Sequence, residues 1–234
     1  MLINADFTRR AVVRAEDQRW IPSPQPGVDR VMLDRIGGEV ARATSLVRYS
    51  PGSRFSAHTH DGGEEFVVLD GVFQDEHGDY PAGAYVRNPP TSSHRPRSEP
   101  GCTIFVKLWQ FDPGDRESVR VFSEDRPFTP LPARPGVERV LLHRDARESV
   151  WQERWAAGAE ISLAAPGGVE TLVVAGSFTF DRQTFAPLSW LRLPIGDTFT
   201  GVGGTDGCTV WVKAGHLSGR VDVTAPTTKS RAAS

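Results

Sequence analysis

The chain has 234 residues, 38 % of them hydrophobic and 24 % charged, with a formal net charge of −2. That length accommodates one large or two small domains, and the near-neutral balance excludes a strongly basic nucleic-acid binder. No apolar run approaches the roughly 20 residues a bilayer-spanning helix needs, so no membrane partner is expected.

The opening residues, MLINADFTRRAVVRAEDQRW, carry charges throughout and lack the apolar stretch of a secretion signal, which points to a cytoplasmic protein. Within them RRAVVR reads as a solvated strand edge. Next come ARATSLVRY, EFVVLDGVF and CTIFVKLWQF, each with period-two alternation or a short β-branched and aromatic run. A proline-rich stretch, EDRPFTPLPARPGVER at 124–139, separates them from two further runs, ETLVVAGSFTF and CTVWVKAGHL. The 23 glycines and 18 prolines fall largely between these runs, as turns joining many short strands require. The prediction is an all-β, antiparallel sandwich or barrel. The tail TAPTTKSRAAS is small and polar and is expected to fray. Cys102 and Cys208 read as buried thiols packed as small hydrophobes.

The chain is also written twice. DGGEEFVVLDGVF at 61–73 aligns with PGGVETLVVAGSF at 166–178, an offset of 105, and YVRNPP at 85–90 meets WLRLPI at 190–195 at the same offset. GCTIFVKLW at 101–109 meets GCTVWVKAG at 207–215, and RVMLDR at 30–35 resembles RVLLHR at 139–144. The expected domains are 1–123 and 124–234.

Residues 57–71, AHTHDGGEEFVVLDG, hold the first chemical signal. On a strand, residues i and i+2 share a face, so His58 and His60 can aim at one divalent ion while Thr59 points away. Two adjacent glutamates follow, and strand geometry alone does not choose between Glu64 and Glu65.

The wider spacing is Gly52-x5-His58-x-His60-x3-Glu64-x6-Gly71, then Gly83-x5-Pro89-x-Thr91-x2-His94-x3-Ser98. It resembles the two motifs of the cupin superfamily, with Thr91 where the motif has glycine and Ser98 where it has asparagine. HTHDGGEEFVVLDGVFQDEHGDYPAGAYVRNPP is similar to the ChrR-type cupins. The resemblance implies a double-stranded β-helix (jelly roll), duplicated here as a bicupin. It also implies that His58, His60, Glu64 and His94 are metal ligands, with Tyr49 and Phe66 walling a pocket. The ChrR cupin domain binds zinc, but the cysteine-containing zinc module that precedes it in that anti-sigma factor has no counterpart here, so that layout is not expected.

At an offset of 105 the four ligand positions become Leu163, Ala165, Val169 and Phe199, all apolar, so the second domain reads as a cupin without a metal site. Glu65 is matched by Glu170 and therefore reads as an outer-face scaffold residue, which leaves Glu64 for the metal. Phe105, Lys107 and Trp109 share a strand face and could line the pocket mouth, although core aromatics and a solvated lysine are the plainer reading. Arg87 and Arg192 match and read as structural. His77 reads as a turn residue, and His143 and His216 as structural or exposed.

Three nitrogens and a carboxylate suit zinc or iron first, with manganese or nickel as alternatives. The leading functional reading is a metal-dependent small-molecule enzyme, a dioxygenase or related oxidoreductase acting at the first barrel. A non-catalytic zinc sensor or regulatory cupin, and a structural metalloprotein, are the rivals. A small-molecule ligand or substrate is the expected partner, and a homodimer is an open alternative.

Overall fold

A computed structural model of the protein describes residues 1–218, and the tail expected to fray lies outside them. The described residues form strands and turns, with a single turn of 3-10 helix at Ala15–Asp17. None of their helices is long and apolar enough to cross a membrane. The chain divides into two units, each an antiparallel jelly-roll barrel.

In the first unit, antiparallel neighbours run in the order Val28–Gly37, Ala41–Tyr49, Cys102–Leu108, Glu64–Asp75, Tyr85–Asn88, Val119–Val121. The second repeats this order with Val137–Arg144, Ser149–Trp155, Asp197–Ala214, Val169–Phe180, Trp190–Leu193 and Ala11–Val13. The last strand of the second series comes from the start of the chain, ahead of the first series. Asp6–Gln18 thus belongs with the second unit, whereas the sequence placed 1–123 together in the first. Backbone pairing of Ala11–Val13 with Trp190–Leu193 holds it there, helped by Arg10, which bonds to Asp181 and Asp197 at 2.7 and 2.5 Å.

Alternation along each strand fills the barrel. Phe66, Val68, Phe73, Ile104 and Val106 pack inside the first, and Val169, Val173, Phe178, Val210 and Val212 inside the second. The two cysteines occupy matching positions opposite Tyr49 and Trp155 and are free thiols, pushed by burial to pKa values of about 11 and about 12. Gly71, the final glycine of the first motif, has φ +70, and a Cβ there would lie 2.1 Å from the Gly101 carbonyl oxygen. Thr91, standing where the second motif has glycine, keeps the left-handed backbone with φ +76.

The opposite sheet face corrects two expectations. Glu65 and Lys107 do lie on it, but neither is solvated; each is 1 % exposed. Arg87, Glu65 and Lys107 stand side by side on neighbouring strands, as Arg192, Glu170 and Lys213 do in the second unit. Burial of these charges is compensated by partners. The Tyr85 hydroxyl donates to Glu65 at 2.5 Å, Lys107 donates to Thr44 at 2.9 Å, and Arg87 pairs with Asp115 at 2.6 Å while lying over the Phe111 ring. His216 is likewise enclosed, 3.2 Å from Glu170.

Candidate metal centre

A short ribbon sets the geometry. His58–His60 pairs with Ser92–His94 so that His58 stands opposite His94, and alternation sends His60 to the same side as His58. The three imidazoles form a near-regular triangle, with ring centroids 4.8, 5.2 and 4.8 Å apart. One nitrogen from each lies within 4.8 Å of the others. His60 Nε2 and His94 Nε2 are 2.9 Å apart, and Glu64 Oε2 lies 3.4 and 3.5 Å from them. Glu64 opens the next strand and faces this cluster, whereas Glu65 faces away.

Outer partners orient these donors. His58 Nδ1 is 3.1 Å from the Ser56 carbonyl and His94 Nδ1 is 3.1 Å from Asp75 Oδ2. Both partners are acceptors, which assigns the proton to Nδ1 and leaves each Nε2 lone pair directed into the cluster. Asn88 Nδ2 donates to Glu64 Oε2 at 3.0 Å. Asp75 is itself fixed, accepting from the His77 backbone N–H at 2.8 Å and the Tyr80 hydroxyl at 3.3 Å.

The charges follow from this arrangement. Burial would raise the Glu64 pKa, but the adjacent His60 and His94 and the Asn88 hydrogen bond hold it below the ordinary carboxylate value. Burial pushes His60 down despite Glu64. Burial also opposes the charged form of His94, yet the Asp75 hydrogen bond and the Glu64 charge outweigh it and keep its pKa above the usual value. The result is a carboxylate anion and three convergent ring nitrogens, a donor set that fits a divalent first-row ion.

Asp75 and Asn88 escaped the spacing motif, but the repeat contains their signal. At the same offset of 105 they become Phe180 and Leu193. The second barrel keeps the registers Leu163 opposite Phe199 and Val169 opposite Leu193, matching His58 opposite His94 and Glu64 opposite Asn88. Where His94 bonds to Asp75, Phe199 stacks on Phe180 with centroids 5.2 Å apart and planes 4° from parallel. Leu163, Ala165, Val169, Phe180, Leu193 and Phe199 all belong to one buried apolar cluster. Six polar positions have become a dry core together.

The cluster borders a cavity of about 290 Å³. His58, His60 and Glu64 reach it, as do Tyr49, Val47, Phe55, Ile104, Val106, Leu108 and Trp109. Tyr49 thus stands in the wall, its phenol kept well above its usual pKa by burial and then by the Glu64 charge. Phe66 lies deeper, with its ring 4.7 Å from that of Phe73, and does not line the cavity. Phe105 points to the opposite sheet face, because its neighbours Ile104 and Val106 face the cavity. A second group, His143, Asp145 and Glu148, gathers its ligand atoms within 4.8 Å of one another, but Lys213 Nζ donates to Glu148 at 2.8 Å, so a cation is already present.

No functionally curated protein matches the sequence. The fold is similar to that of YlbA from E. coli, with a TM-score of 0.68 at 12 % identity over 92 % of this chain and 95 % of that one. It is similar also to the nickel(II) complex of the pirin YhhW from Escherichia coli (TM-score 0.63, 15 % identity, 88 % of this chain and 99 % of that one). A third similar structure is the formate complex of Lactobacillus farciminis oxalate decarboxylase (TM-score 0.62, 10 % identity, 92 % of this chain and 89 % of that one). The ChrR cupin-like domain matches twice, over residues 8–112 and 116–218. With nearly the whole chain covered by these two copies, the protein belongs to the ChrR cupin-like domain family.

Proposed function

We propose that the first barrel is a metal-dependent small-molecule enzyme, a dioxygenase or related oxidoreductase, with His58, His60, Glu64 and His94 holding the ion. One observation carries this reading: the four donors converge beside an apolar cavity and not in a closed interior. A bound ion there supplies Lewis acidity and, with iron, manganese or nickel, a redox centre. The chain's own residues do the rest. Asn88 and Asp75 hold Glu64 and His94 in place, the cavity's apolar side chains exclude water from a ligand, and Tyr49 offers a protonated hydroxyl in the wall. The second barrel, apolar at every equivalent position, takes no ion. This chain's similarity in fold to a pirin solved with nickel(II) supports a metal-centred role. Elemental analysis of the purified protein beside His60→Ala tests the proposal. One first-row metal per chain, lost in the variant, is the expected result, followed by metal-dependent turnover in a substrate screen. Wild-type protein without stoichiometric metal would refute it.

A further inference from the structure

Building on the metal-centre reading, we propose that the first-barrel cavity takes an uncharged, ring-sized apolar molecule that presents oxygen to the His/Glu cluster, with Trp109 as the residue that selects it.

Size comes first. A cavity of roughly 150 Å³ lined by apolar side chains holds benzene, and this one measures about 290 Å³. It therefore suits one or two rings, and it is small for a long chain or a cofactor. Charge comes next. Among the described residues lining the cavity there is no lysine or arginine, whereas Glu39, Asp61 and Glu64 are present. Glu39 is engaged by Arg30 at 3.2 Å and Glu64 is committed to the ion, which leaves Asp61 to set the sign of the wall away from the ion. Away from the ion, a second anionic group on the ligand would meet Asp61 with no cationic side chain to receive it, and an uncharged body loses nothing there.

Trp109 is the most specific sign. Its backbone is left-handed, φ +59, a region that favours glycine. The equivalent position in the second barrel is Gly215, φ +89. The equivalence is structural, because the Trp109 N–H donates to the Gly63 carbonyl and the Gly215 N–H donates to the Gly168 carbonyl. The backbone thus gives no reason for tryptophan, and the side chain must supply it. The indole lies across Gly62, where an added Cβ would come within 2.3 Å of the ring, and from there it forms part of the cavity wall. A large flat surface held beside the metal cluster is suited to stacking on a ring.

The test uses the full-length protein loaded with zinc, which is redox-inert, and two small chelators. Catechol and oxalate both offer two oxygens in a five-membered chelate, but catechol arrives as an uncharged apolar ring and releases its hydroxyl protons to buffer as it chelates, whereas oxalate arrives as a dianion with no apolar body. Their affinities are measured by calorimetry and by tryptophan fluorescence, for the protein and for aqueous zinc at the same pH. The expected result is a catechol-to-oxalate preference at least tenfold greater on the protein than in water. Trp109→Gly should weaken catechol about tenfold, in line with loss of an aromatic pair and its buried area, with zinc still bound. Trp109→Phe should restore most of the loss. An unchanged preference relative to water, or catechol binding indifferent to Trp109→Gly, would overturn this proposal while the metal reading stands. Protein that holds no zinc would overturn both.

Discussion

Replacing Asp75 by alanine separates a residue that orients a ligand from one that only fills space. In the wild type His94 is 3 % exposed, and its Nδ1 has the Asp75 carboxylate as partner at 3.1 Å. Without that acceptor the ring loses the bond that fixes its tautomer and rotation. Deleting such outer partners weakens metal binding about 10–100-fold, or about 1.4–2.7 kcal/mol. The variant also strips an acceptor from the His77 N–H and the Tyr80 hydroxyl, so the metal-free protein should lose about 1–3 kcal/mol of stability. Asp75→Asn, which keeps an acceptor oxygen, should lose less than tenfold in affinity. The assay is competition with a chromophoric chelator for zinc, repeated with cobalt(II) so that its absorption reports ligand geometry. The pH dependence has a defined sign. Asp75 helps to hold the His94 pKa above its ordinary value, so protons compete with the ion more strongly in the wild type as pH falls. The alanine variant's deficit should therefore narrow as pH falls through the wild-type His94 value, which lies above the ordinary ~6.5. A folded Asp75→Ala protein that binds zinc within twofold of wild type at neutral pH would refute the reasoning.

Glu65→Gln removes a buried charge flanked by Arg87 and Lys107, and it should cost about 3 kcal/mol in denaturant unfolding while metal stoichiometry stays at wild-type level. Loss of metal with unchanged stability would reverse the assignment of the two adjacent glutamates. Thr91→Gly relieves a β-branched residue at φ +76 whose side chain is exposed. The relief of about 1–2 kcal/mol, less the extra unfolded-state freedom of glycine, leaves a gain of roughly 0.5–1 kcal/mol, visible as a rise in Tm.

Much of the fold was legible because duplication prints the strand pattern twice and the motif fixes its register. The convergence of His58, His60, Glu64 and His94 was legible from spacing and from their joint replacement in the second copy. Asp75 and Asn88 were equally lost there, but neither belongs to a spacing motif, and only the observed hydrogen bonds give the comparison its meaning. Burial of Glu65 and Lys107 was hidden for a different reason. Alternation tells which side of a sheet a residue takes, and it does not tell whether that side is covered. Phe105 shares this ambiguity, since period two places it with Lys107 without revealing which face holds the cavity. The partner of AVV at 11–13 was beyond local reading, because any sheet edge offers the same backbone groups.

That exchanged strand limits how the two copies can be cut apart. Counted by the two family matches, each copy lends an early strand to the other's sheet, Ala11–Val13 in one direction and Val119–Val121 in the other. An aromatic ring near each of these strands in sequence covers a buried guanidinium, Phe7 over Arg192 and Phe111 over Arg87. Cutting the chain at the boundary between the two family matches, 112–116, would strip Val119–Val121 from Tyr85–Asn88, the strand that carries Asn88 to Glu64. A truncation meant to isolate the first copy must therefore run past Val121, or the strand that carries Asn88 is left with an open edge.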